Sequence, residues 1–106
     1  MPARPLALAL FLAAPAFTAT LPAAGRYEVP MAWSPNANRA TSVPVRIEHA
    51  GGSSDVKLDQ RQRPEIDRHF GSVGTYEFGT TVTVAITNAG TDGHVILDAV
   101  RWVKAE

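Results

Sequence analysis

The chain has no cysteine, only two tryptophans, and no surplus of charge of either sign, ten Lys and Arg side chains standing against ten Asp and Glu. Each lack excludes something. Without cysteine there are no disulfides, thiolate metal sites or thiol nucleophiles, so the fold must hold by packing and hydrogen bonds alone. Without a net field, nothing draws nucleic acid or an anionic membrane to the molecule as a whole, and nucleic acid is not an expected partner. The apolar run Leu6 to Ala14 falls short of the roughly 20 residues a bilayer crossing needs. Beyond residue 20, apolar spacing of 3.6 residues does not persist over three turns, which argues against a helical domain.

What is present fits one small domain. At 106 residues, 45% hydrophobic and 19% charged, the chain can bury a single core, with little left over for a deep cleft. Its start, "MPARPLALALFLAAPAFTAT", puts Arg4 before an apolar run and the small-residue triplet Ala14-Pro15-Ala16 after it. That order is the signature of a secretory signal peptide. Residues 1 to 16 are therefore expected to be cleaved, leaving a mature chain, residues 17 to 106, that is secreted or periplasmic and unanchored.

Beyond residue 20, short alternating runs are separated by Gly, Pro and Asn, the pattern of an all-β chain. "GRYEVPMAW" places Tyr27, Val29, Met31 and Trp33 on one face, while Pro30, which has no N–H, predicts a sheet edge or a bulge. "VPVRIEH" and "DVKLDQ" alternate about a Gly-Gly turn and predict a hairpin. "RQRPEIDRHFGSVG" has no strand period and reads as a long surface loop with one helical turn around Glu65 to Arg68. "TTVTVAIT" points Val82, Val84 and Ile86 inward and its threonines outward. "HVILDAVRWV" is apolar on both faces and reads as a central strand. About six such strands with turns between them predict an antiparallel β-sandwich.

In that last strand Asp98 shares a face with Ile96, Val100 and Trp102. A carboxylate so placed needs hydrogen bonds, an arginine or a cation, because an isolated buried charge is costly. Calcium would want further hard oxygens, and no D-x-D-x-D cluster accompanies Asp98. No metal and no cofactor is expected.

Four stretches, "LPAAGRYEV", "PNANRATSVPVRIEHAGG", "VKLDQRQRPEIDRHFGSVGTYEF" and "NAGTDGHVILDAVRW", together resemble the golvesin and xanthan-lyase carbohydrate-binding-like domain over residues 17 to 103. The resemblance implies a jelly-roll-like sandwich of the carbohydrate-binding-module kind. It implies a non-catalytic module at the C-terminus of secreted bacterial lyases, peptidases and FAD-dependent oxidoreductase-like proteins. Asn38 to Thr41 match the family's N-R-A-T loop, Asp59 and Gln60 its D-Q strand end, and Asp98 to Val100 its closing D-A-V. Two departures stand out: Pro30 occupies a plain strand position, and the apolar leader replaces the family's first strands. Arg39, the motif arginine, is the expected partner of Asp98 in a polar latch, joined to it directly or through loop carbonyls, with Arg46 and Arg101 as rivals.

A loop rich in Asn, Arg and Thr beside an aromatic offers what a sugar needs, donors for its hydroxyls and an apolar surface for its C–H face. The candidate ligand-binding residues are Trp33, Asn36, Asn38 and Arg39, with Asp59 and Gln60 as neighbours. Polysaccharide is the expected partner, together with the catalytic domain of a larger protein; the alternative is a structural or protein-interaction sandwich without sugar affinity. No enzyme is expected. His49, His69 and His94 lack metal-ligand spacing, Ser53 and Ser72 lack a G-x-S-x-G elbow, and Asp59 with Glu65 or Asp67 sits in a loop without a groove.

Overall fold

A computed structural model describes residues 16–105. Eight strands follow in chain order: β1 (Ala16–Thr20), β2 (Gly25–Ala32), β3 (Val43–His49), β4 (Gly52–Leu58), β5 (Phe70–Phe78), β6 (Thr81–Ile86), β7 (Ala99–Val100) and β8 (Val103–Lys104). One sheet has the order β1-β6-β3-β4 and the other β5-β2-β7, with β8 also on β2. Every strand pairing is antiparallel, so the fold is the expected all-β sandwich. The signal-peptide reading of residues 1–15 lies outside the described residues; Ala16, its last residue, is the first of β1.

The core lies where alternation puts it. Val43, Val45 and Ile47 of β3 and Val82, Val84 and Ile86 of β6 face Tyr27, Val29 and Met31 of β2 and Val73 and Phe78 of β5. Outward on the β3–β4 pair, Arg46 grips Asp55 directly across the ladder through Nε (2.8 Å) and an Nη (3.1 Å). That charge-assisted fork holds the Asp55 carboxyl below the usual carboxylate range. The hairpin closes through Ala50-Gly51, with Gly52 at φ +128° supplying the conformation a side chain resists. His49 caps the turn, accepting Gly51 N–H at Nδ1 (3.2 Å) and meeting Ser54 Oγ through Nε2 (2.8 Å).

Pro30 does produce a bulge, but not an edge. The register of β2 against β5 shifts by one residue between Glu28 and Pro30, while β2 remains the central strand of its sheet. Pro30 also accounts for a correction at the C-terminus. The segment expected to be a central strand is instead an edge, broken into β7 and β8 with Arg101 and Trp102 between them. The break lies opposite Pro30: its carbonyl accepts Arg101 N–H (2.9 Å), but it has no N–H to return.

The expected helical turn at Glu65 to Arg68 is absent. Ile66 and Phe70 bridge around a tight reversal in which Asp67 (φ 52°) and Arg68 (φ 64°) both take the positive φ that a type I′ turn demands. Ile66 O accepts both His69 N–H and Phe70 N–H at 3.0 Å, and Ile66 N–H donates to Phe70 O (2.7 Å). Strand β5 thus begins at Phe70, four residues before the end of the expected loop. Gly71 marks a close approach inside a strand here: a Cβ on it would lie 2.5 Å from Trp33 Cη2.

Candidate functional site

Three loops meet beyond the sheet ends, and their polar groups bond mostly to one another. Asn38 to Thr41 lie against Asp92 to Ile96: Ala40 N–H donates to His94 O (2.8 Å) and His94 N–H to Asn38 O (2.9 Å). The approach is close enough that a Cβ on Gly93 would lie 2.6 Å from Arg39 O. Thr41 donates its N–H (2.8 Å) and hydroxyl (2.6 Å) to the Asp92 carboxylate. Those bonds from Thr41, the hydroxyl's foremost, hold the Asp92 carboxyl below the ordinary range. Arg61 completes the closure, donating Nε–H to Arg39 O (2.7 Å) with an Nη 3.8 Å from Asp92.

Gln60 joins the same loops from inside. Its N–H donates to Ala40 O (2.9 Å), and its side-chain amide pairs with both backbone groups of Ile96, Nε2–H to the carbonyl (2.7 Å) and Oε1 from the N–H (3.0 Å). The residue is 0% exposed. A buried amide with both functions satisfied substitutes for a missing strand partner. Gln60 is thus structural, which corrects its place among the ligand candidates.

The remaining candidates divide. Asn36 and Asn38 are exposed; Asn36 Oδ1 accepts Asn38 N–H (3.2 Å), and Asn38 Oδ1 accepts from the Arg39 guanidinium (2.9 Å). Arg39 also donates Nε–H to Ser34 O (3.1 Å), and no bond joins it to Asp98. Arg39 thus holds a loop carbonyl as the latch reading expects, while the Asp98 side chain takes no part in it. Asp98 lies outside any regular strand with its side chain exposed, while its backbone N–H donates to Ala32 O (2.9 Å). Broken pairing along the edge opens the solvated direction that a regular central strand would have closed. Trp33 is 7% exposed, its Nε1–H given to Gln62 O (3.0 Å) and its ring packed on Gly71. It is core and not an open stacking platform.

Trp33 does form part of a floor. A cleft of about 230 Å³ lies between the end of β4, the loop after it and the start of β5. Trp33, Leu58, Pro64 and Gly71 supply apolar wall. Around them stand Lys57, Asp59, Gln62, Arg63 and Glu65. Asp59 accepts Arg61 N–H at Oδ1 (3.0 Å), whereas no hydrogen bond or ion pair engages the exposed head groups of Lys57, Arg63 and Glu65 among the described residues. By sequence alone Lys57 and Asp59 belong to a strand and Arg63 and Glu65 to a surface loop without a groove. Pro64, buried among them, was the available signal that this loop folds back onto the sheet.

The histidines and serines weighed for catalysis serve turns and packing where their bonds are seen. Among the described residues no three His, Asp or Glu side chains gather as metal ligands. His49 stacks on Tyr76 at 4.8 Å, and Ser72 Oγ accepts Gly74 N–H (3.1 Å) with no histidine at hand.

Fold and site together define a small antiparallel sandwich whose motif residues close a loop junction and which carries a separate, mixed-charge cleft. The chain belongs to the Golvesin C-terminal domain family, whose model matches residues 11–104. It is 40% identical over 92 residues to the xanthan lyase of Bacillus sp. strain GL1, a match covering 82% of this chain and 10% of the lyase. The solved structure of Paenibacillus xanthan lyase superimposes with a TM-score of 0.75 at 36% identity, over 86% of this chain and 9% of that one. The chain thus spans about a tenth of the length of the relatives it matches.

Proposed function

We propose that the chain is a non-catalytic accessory module of an exported bacterial protein and that it holds its parent at polysaccharide. The observation that carries this reading is the match to about a tenth of a polysaccharide lyase. The loop construction supports it, since His49, Ser54, Ser72, Asp59 and Asp92 are engaged in closing turns and loops. Of the expected ligand-binding residues, Asn36, Asn38, Arg39 and Asp59 keep some exposure to solvent, and Asp59 also lines the cleft.

The test is affinity-gel retardation of the purified chain in gels cast with xanthan, alginate, glucomannan or hydroxyethylcellulose, paired with a viscosity assay on the same polymers. Retardation by at least one polymer without loss of viscosity is expected. Migration unchanged in all four would favour a structural or protein-contact domain, and falling viscosity would make the chain an enzyme. Export is tested separately by N-terminal sequencing of secreted protein, expected to begin at Phe17.

A further inference from the structure

The cleft beside Trp33 gathers four charged side chains of both signs in one space, and three of them, Lys57, Arg63 and Glu65, hold no hydrogen bond or ion pair among the described residues. Lys57 and Arg63 contribute two cations and Asp59 and Glu65 two carboxylates, all lining one space. Gln62 lines the same space, together with apolar wall from Leu58, Pro64 and Trp33. At about 230 Å³ it is smaller than the roughly 300 to 1,000 Å³ of pockets that engulf a drug-sized molecule. It suits one ring-sized unit.

From this balance we infer that the cleft binds a single uncharged pyranosyl unit of a polysaccharide, a proposal that rests on the polysaccharide-binding reading above and locates its contact site. Each sugar hydroxyl is donor and acceptor at once, so a vicinal diol can give its protons to a carboxylate and accept from a guanidinium, ammonium or amide. The cleft is lined by both kinds of group, donors on Lys57, Gln62 and Arg63 and acceptors on Asp59, Gln62 and Glu65. A carboxylate-bearing sugar would gain from Lys57 and Arg63 what it lost to Asp59 and Glu65, so the cleft carries no electrostatic preference for acidic units. The ring's C–H face takes the Leu58 and Pro64 floor.

The experiment measures affinity-gel retardation of the full chain on glucomannan and hydroxyethylcellulose, as neutral polymers, and on xanthan and alginate, as acidic ones, at low and high NaCl. Arg63→Ala/Glu65→Ala alters only exposed side chains that no bond holds, so it should remain folded by circular dichroism. The double variant is expected to weaken binding to a neutral polymer at least tenfold, with Asp98→Ala unchanged and the parent's affinity nearly constant across salt. Binding confined to acidic polymers and abolished by salt would overturn the inference, exposing a cation site. Full binding by the double variant, with loss in Asn36→Ala/Asn38→Ala, would move the site to the loop and overturn the cleft while leaving the accessory role intact. No retardation of the parent by any polymer would overturn both.

Discussion

The loop junction around Gln60 and the cleft around Trp33 hold similar numbers of polar side chains and use them in opposite ways. At the junction, Thr41, Gln60, Arg61 and Asp92 are bonded to backbone or to each other across segments distant in sequence. At the cleft, Lys57, Arg63 and Glu65 hold no such bond. Polar density alone therefore does not mark a binding surface. A group already satisfied inside the fold has little to offer a ligand, whereas an unpaired one can trade water for a new partner at small cost.

The comparison would break first at Gln60. Gln60→Ala should destabilise the domain by about 2 kcal/mol, because both Ile96 backbone groups lose their partner and a fully buried side chain is removed. Urea denaturation followed by circular dichroism reads this directly, and a variant as stable as the parent would mean the junction is not held from inside. Gly71→Ala comes next, also at about 2 kcal/mol, since its Cβ would overlap the Trp33 ring and the core must shift. Tryptophan fluorescence should move with it. An unshifted spectrum would detach the cleft floor from the core.

Acid sharpens the contrast. Because the folded Asp92 carboxyl is held below its ordinary value, its contribution is present above the unfolded pKa and is lost as pH falls through the lowered folded one. Melting temperature should therefore decline below about pH 4, the unperturbed aspartate value, and Asp92→Asn should lower stability at neutral pH while flattening that decline. A parallel acid limb in the variant would count against the Thr41 bonds. Smallest of all are Asp98→Ala and Arg63→Ala, each expected within about 0.5 kcal/mol of the parent, as for surface groups without partners. A loss of about 2 kcal/mol in Asp98→Ala would restore Asp98 to the latch.

Much of the fold was legible locally. The alternation of Val43, Val45 and Ile47, the Gly-Gly hairpin and the inward valines of β6 appear where the sequence places them, because successive side chains on any strand must point to opposite faces. The bulge at Pro30 was legible for a similar reason, the missing N–H being a covalent property of one residue. The candidate site was far less so. Asn36, Asn38 and Asp59 are at the surface as expected, but Trp33 and Gln60 are inside and Asp98 is outside.

The sequence by itself determined the strand periods, the turns and the all-β class, since these follow from backbone geometry within a few residues. Tertiary structure alone decided which polar groups were spent. Gln60 meets Ile96 across 36 residues and Thr41 meets Asp92 across 51, and no local pattern states that such segments will arrive side by side. Whether an amide or carboxylate faces water, backbone or a ligand depends on that arrival, because only the assembled fold removes the solvent that would otherwise satisfy it.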